Sequence, residues 1–355
     1  MAHISDNDRG QLIIMGIPGP ELTDGLRSLI ATIQPGGFIL FNRNIESPNQ
    51  LFNLTKELYG LCEHHPVMTI DQEGGRVARL TAIGERPVSG QALAQTGDLE
   101  LSKEHGVLTG RLLKAFGFNL NLAPVADYSI DEMADNSLRG RCFGSSAEQV
   151  IHLAGAFLEG QESEGVLATI KHFPGYTHCP LDPHGNLPKI TRKREEMEAE
   201  ELVAFRHFID KASCYMVGHG HFTAWHEEPY PASLSPQIIQ ELLIHEMNYQ
   251  GVVMTDDLEM GAIGERYPAA EVTRLALEAG EHFLLFCHNP ACAEISRRTL
   301  QTLPEDLVLP KLERVMAFKQ KLVGIPDLLD LNALEEINQQ TAHLRDKVES
   351  LILKK

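Results

Sequence analysis

The sequence predicts an α/β protein built as a (β/α)8 barrel of the TIM type, in one domain with a C-terminal helical extension. Two observations lead there. Short, nearly continuous apolar runs recur eight times between Gln11 and Cys287, and such runs suit parallel strands buried on both faces. Helical patterns alternate with them, with no low-complexity linker and no clear internal repeat. That alternation fits a closed barrel better than an open doubly wound sheet.

In chain order the strand candidates are Gln11–Gly16, Gly37–Phe41, Val67–Asp71, Asn119–Pro124, Leu167–His172, Cys214–His219, Val252–Asp256 and Phe283–Cys287. Each is rich in Val, Ile, Leu or Phe. The periodic stretches between them include Leu51–Leu61, Ala147–Glu164, Glu195–Lys211, Pro236–Met247 and Ala269–Ala279. Ser47-Pro48 and Ser235-Pro236 place a capping hydroxyl before a proline suited to the first helical position. The barrel is expected over residues 1–303 and two further helices over 304–355. In the second of these, Leu334, Thr341 and Val348 form one heptad series, and Ile337, Leu344 and Leu351 the other. Three heptads are the minimum for a coiled coil, so the expectation is a helix packed on the outside of the barrel. Monomer and homodimer both stay open.

Composition narrows the class. The 355 residues carry 31 Lys+Arg against 49 Asp+Glu, a formal charge of −18, with 43% hydrophobic residues. Such a chain buries a full core, and its charge argues against nucleic acid or an anionic membrane as partner. No apolar run approaches the roughly 18 residues of a spanning helix, and the first residues lack a signal-peptide core. Cys62, Cys142, Cys179, Cys214, Cys287 and Cys292 are widely spaced without a CxxC pair. A disulfide framework or structural zinc is therefore not expected, and a cytoplasmic location is.

In a barrel of this kind chemistry gathers at the carboxyl ends of the strands. The third candidate ends in Asp71-Gln72-Glu73-Gly74-Gly75-Arg76, the fifth in Lys171-His172, the sixth in His219 and the seventh in Asp256-Asp257. Four polar strand ends on one face point to a site. Glycoside hydrolysis could use them, needing a carboxylate nucleophile and a proton donor. Metal-assisted hydrolysis could use His219-Gly220-His221 as a ligand pair, although barrel hydrolases of the HxH type carry that pair after the first strand. The alternative for His219 and His221 is a hydrogen-bonded pair lining the pocket.

Several strings together make the chain recognisable: Gly36-Gly37-Phe38-Ile39-Leu40-Phe41, DQEGGRVAR from Asp71 to Arg79, NLAPVAD from Asn121 to Asp127, and Arg141-Cys142-Phe143-Gly144. Lys171-His172-Phe173-Pro174-Gly175, Pro231-Ala232-Ser233-Leu234-Ser235 and GVVMTDDL from Gly251 to Leu258 follow in order. With these the chain resembles the family 3 glycoside hydrolases, and within them the bacterial β-N-acetylhexosaminidase branch, from about Gly10 to Asn289. The resemblance implies a retaining exo-acting enzyme that removes terminal β-linked N-acetylglucosamine from muropeptide- or chitin-like saccharides, serves peptidoglycan recycling, and needs no cofactor and no metal.

Residue by residue, Asp256 matches the family's nucleophile. His184, in Asp182-Pro183-His184, matches the general acid/base, with Asp182 orienting its imidazole. Asp71, Arg79, Arg141, Lys171 and His172 match residues that contact the sugar and its N-acetyl group. The residue types also permit plainer duties: Arg79 and Arg141 suit partners of buried carboxylates, and Asp71 with Lys171 suits an ion pair across the barrel mouth. Glu73 and Asp257 suit supporting positions. Two departures stand out. The family's His-Gly after Pro174-Gly175 is Tyr176-Thr177 here, and Pro183 replaces a Ser or Thr, so a stiffer loop is expected. Other readings of the same residues are phosphorolysis, a family 3 β-glucosidase, a weakly active sugar-binding protein and a metal-dependent amidohydrolase.

Overall fold

Apolar runs separated by amphipathic helices bury most surface when the strands pair side by side in chain order. They do so here. The computed structural model describes residues 6–131, 136–179 and 187–355. The barrel strands are β1 (Ile13–Gly16), β2 (Gly37–Leu40), β3 (Val67–Ile70), β4 (Leu120–Asn121), β5 (Leu167–Phe173), β6 (Cys214–Val217), β7 (Val252–Thr255) and β8 (Leu284–Phe286). Parallel ladders join β7-β6-β5-β4-β3-β2-β1-β8. The last seam, between β7 and β8, closes through one bridge, Met254 with Phe283. Side chains reinforce it: the Leu285 amide donates to Thr255 Oγ1 (3.1 Å), and the Cys287 amide to Asp257 Oδ1 (3.2 Å).

The outer helices are α1 (Asp24–Ile33), α2 (Pro48–Leu61), α3 (Leu99–Ala115), α4 (Ala147–Ser163), α5 (Glu201–Phe208), α6 (Gln237–Glu246), α7 (Ala269–Ala279) and α8 (Pro290–Thr302). Ser47 Oγ accepts the Gln50 amide at 3.3 Å with Pro48 opening α2, and Ser235 Oγ accepts the Ile238 amide at 3.2 Å. Both proline-preceding serines therefore cap as their chemistry requires. The tail forms α9 (Glu305–Lys319) and α10 (Leu331–Ile352). Leu334, Ile337, Thr341, Leu344 and Val348 of α10 are buried, and the helix lies against α3 and the short helix Gly90–Thr96.

Three elements differ from the sequence expectation. The fourth strand shrinks to Leu120–Asn121 because Pro124 has no N–H to donate, and Asn121 spends its side chain on the Gln72 backbone and Gln161. The stretch Glu195–Lys211 is two helices broken at Glu200 (φ −126°, ψ −81°), with Glu201 turned inward to His178. The helix expected over Pro236–Met247 winds as a π-helix across Gln237–Glu246.

Candidate active site

The string DQEGGRVAR folds as a hairpin at the mouth of β3. Gln72 pairs with Ala78 and Gly74 with Val77 in antiparallel register. The turn needs positive φ at Gly74 (+105°) and Gly75 (+57°), a region that L side chains avoid. Gln72 Oε1 then accepts the amides of Arg79 (2.8 Å) and Leu80 (3.3 Å). The return strand brings Arg79 back onto Asp71, Nη2 to Oδ2 at 3.2 Å.

Across the mouth, Lys171 from β5 bridges two carboxylates, reaching Asp71 Oδ1 at 2.9 Å and Glu73 Oε1 at 2.6 Å. Arg141 grips Glu73 with both arms, Nε to Oε2 at 2.8 Å and Nη2 to Oε1 at 2.7 Å. Burial works against ionising Glu73, but Arg141 and then Lys171 outweigh it and hold its carboxyl down at about 2. Asp71 is held below the usual carboxylate range in the same way, burial being overcome by Lys171 and then Arg79. Asp127, at the end of NLAPVAD, orders the neighbouring turn. Its Oδ2 accepts the His172 backbone amide (3.1 Å) and pairs with His172 Nδ1 (2.9 Å), while Oδ1 accepts the Tyr176 amide (2.5 Å). Arg141 Nη2 lies 3.2 Å from His172 Nε2. A guanidinium can only donate, so this contact assigns the imidazole proton to Nδ1.

Opposite this network, Asp256 follows β7. Its own amide donates to the Val217 carbonyl (3.0 Å), and its Oδ1 accepts the Asp257 amide (2.8 Å). No protein donor among the described residues takes Oδ2. Asp257 is turned into the wall, its Oδ1 accepting the amides of Glu259 (3.1 Å) and Cys287 (3.2 Å). Beside it His288 stands 3.4 Å from Asp257 Oδ2 and stacks on Phe41 at 5.6 Å. The hydrogen bond to Asp257 raises the His288 pKa above its ordinary value. A cavity of about 560 Å³ opens between these walls, lined among others by Asp71, Arg79, Arg141, Lys171, His172 and Asp256.

Six of the residues singled out in the sequence therefore share one cavity, and the expected pairings of Arg79 and Arg141 with carboxylates coexist with their place in its wall. His184 and Asp182, with Pro183 between them, lie outside the described residues. His219 sits behind the cavity with Nδ1 against Ser233 Oγ (2.7 Å) and Nε2 against the Asp257 carbonyl (2.8 Å), while His221 Nε2 meets the His226 carbonyl (2.9 Å). His178, Glu200 and Glu201 form a metal-like trio among the described residues. The Arg192 guanidinium already sits in it, 3.2 Å from Glu201 Oε1 and 2.5 Å from Glu200 Oε2, where a metal cation would have to compete.

Sequence reasoning gave no role to Asp127, although an acid at the end of a strand-like string was a readable signal. It also passed over His105, whose buried ring contacts the Glu73 carbonyl at 3.2 Å. A histidine inside an ordinary helical pattern carries no mark of that duty.

Residues 5–318 match the glycosyl hydrolase family 3 N-terminal domain. The chain is 35% identical over 285 residues to a β-hexosaminidase of Alkalilimnicola ehrlichii, covering 78% of this chain and 81% of that protein. It superposes on a family 3 β-N-acetylglucosaminidase from Paenibacillus sp. str. FPU-7 with a TM-score of 0.88 and 32% identity, over 98% of this chain and 69% of that one. With NagZ from Neisseria gonorrhoeae the TM-score is 0.82 at 25% identity, over 96% and 97% of the two chains. A barrel with acids and cations gathered at its carboxyl mouth, and a family match over most of its length, place this chain in glycoside hydrolase family 3.

Proposed function

We propose that the protein is a retaining exo-β-N-acetylhexosaminidase that hydrolyses terminal β-linked N-acetylglucosamine from muropeptide- or chitin-like saccharides. The observation that carries the reading is Asp256: one oxygen is held by the next amide, and the other faces the cavity without a protein donor among the described residues. In this reading Oδ2 attacks the anomeric carbon while His184 protonates the departing oxygen, giving a glycosyl ester on Asp256. His184 then takes a proton from water, which attacks the anomeric carbon and releases the aspartate. Asp182 orients the imidazole. Asp71, Arg79, Arg141, Lys171 and His172 bind the sugar and its N-acetyl group. A cell-wall recycling role in the cytoplasm follows the same resemblance, and no helix among the described residues is long and apolar enough to cross a membrane.

The test is release of nitrophenol from the β-N-acetylglucosaminide and from the β-glucoside, with and without phosphate or chelator. The expected result is preference for the N-acetylated substrate, indifference to chelator and no glycosyl phosphate. Asp256→Ala should lower turnover more than about a thousandfold with the fold intact. His184→Ala should slow poor leaving groups far more than activated aryl glycosides. A 2-fluoro sugar trapped on a residue other than Asp256 would overturn the assignment.

A further inference from the structure

Helix α10 (Leu331–Ile352) lies beyond residues 5–318, the part that matches the family 3 domain, yet it takes hold of a segment that runs into the site. Asn338 Oδ1 accepts the Glu85 amide at 3.0 Å. Arg345 Nη1 donates to Glu85 Oε2 at 2.8 Å and to the Arg86 carbonyl at 3.2 Å. Asn338 and Arg345 stand at i and i+7, so they share one face of the helix. Both therefore grip the same short stretch of chain.

From Glu85 the chain turns inward, and Pro87, Val88 and Gly90 are buried. The Pro87 carbonyl accepts the amide of Gly75, in the hairpin that carries Glu73, at 3.0 Å. On the other side Gly90 abuts the Arg141 backbone, and a Cβ there would fall 2.6 Å from the Arg141 carbonyl oxygen. The segment from Glu85 to Gly90 is thus a wedge between the two halves of the Glu73–Arg141 pair, whose bonds measure 2.8 and 2.7 Å. A close-packed interior has little slack to absorb a shift of that wedge. Displacing it moves the hairpin against Arg141.

We propose, resting on the reading of Arg141 as a sugar contact, that Asn338 and Arg345 are positioning residues for the sugar site. From outside the barrel they seat the Glu85–Gly90 segment, and through it they set how Glu73 meets Arg141. Neither side chain lines the cavity. Their effect therefore falls on sugar binding rather than on the chemistry at Asp256, which stands on the opposite wall. Arg345 and Glu85 are partly exposed, and a single bond in such a place contributes little. Removing both grips together is the informative perturbation.

The double variant Asn338→Leu/Arg345→Ala should bind free N-acetylglucosamine about fivefold more weakly and raise KM for the nitrophenyl β-N-acetylglucosaminide to match, with kcat within about twofold. A helix that only added stability would lower Tm and leave both constants unmoved. Asn338→Asp keeps an acceptor for the Glu85 amide, so it should bind as the wild type does, whereas Asn338→Leu should not. Should the double variant fail to fold, these two single variants decide on the same constants. Arg141→Lys is measured beside them; it keeps the charge, loses the two-armed grip and should weaken binding at least as much. Unchanged binding in the double variant, while Arg141→Lys loses affinity, overturns the role of α10 and leaves the sugar site standing. Asn338→Asp binding as weakly as Asn338→Leu also overturns it. Wild-type affinity in Arg141→Lys overturns the sugar-site reading and the role of α10 together.

Discussion

Glu73 is where two cations from different parts of the barrel meet, Arg141 on both oxygens and Lys171 on one. Removing its charge would leave Arg141 without its carboxylate and Lys171 with Asp71 alone, although both cations are largely buried. Glu73→Gln is expected to cost about 3–5 kcal/mol, read as a lower urea midpoint at pH 7, and to weaken sugar binding. Its carboxyl is depressed from 4.5 to about 2 in the fold. The stability it contributes is present above about 4.5 and is lost as pH falls toward 2; the urea midpoint of Glu73→Gln should therefore converge on the wild type across that window. The sequence made Asp71, Lys171 and Asp256 readable because charged residues at the ends of apolar runs are out of place unless they act or pair. It assigned Glu73 only a supporting position, because nothing in one dimension says which cations converge on it. Tyr176 was visible as a departure, but the bond its hydroxyl accepts from the His219 amide exists only after β5 and β6 have paired.

The hairpin from Gln72 to Ala78 delivers that charge network, and it depends on backbone room. A Cβ at Gly74 would fall 2.1 Å from the Val88 carbonyl oxygen, at a φ of +105°. Gly74→Ala is therefore expected to shift the hairpin and pull Glu73 from Arg141, costing on the order of 2–4 kcal/mol. The check is a lower Tm together with a raised KM. Elements of this kind were only partly legible. The eight barrel strands stood out since a strand covered on both faces has no polar side to confuse the reading. The break at Glu200 did not, because an unbroken helical pattern conceals that Glu201 turns inward to His178 and Arg192. Nor does the spacing of apolar residues distinguish the π winding of α6 from an α-helix.

Over the whole molecule, buried titratable groups limit stability from both sides of neutrality. Burial lowers His105 from 6.5 to about 4 and His282 from 6.5 to about 3. The unfolded chain takes up these protons first, so stability should fall as pH drops below about 6.5 toward those values. Glu281 works in the opposite direction. Its carboxyl is wholly buried, has no hydrogen-bond partner among the described residues, and burial raises it well above 4.5. The folded protein keeps that proton while the unfolded chain releases it above 4.5, so this contribution is lost as pH rises. Glu281→Met is expected to raise Tm, by more at pH 8 than at pH 5, while leaving the acid-side decline in place. Thermal melts across that range decide it, and a lower Tm at pH 8 would contradict the buried-acid account.

The pairing of β1 with β8 also has a meaning in time. Ile13 lies beside Leu284, and Arg9 reaches the Leu303 carbonyl at 2.9 Å, so the first strand is held by the last segments of the barrel to be translated. At about 5–20 residues per second, a ribosome leaves that edge without its neighbour for on the order of tens of seconds. Throughout that interval β1 exposes an apolar, unpaired border to every other nascent chain nearby. Slowing elongation just before residue 284 should therefore lower the soluble yield more than an equal pause after residue 319, when both borders of the sheet have already met.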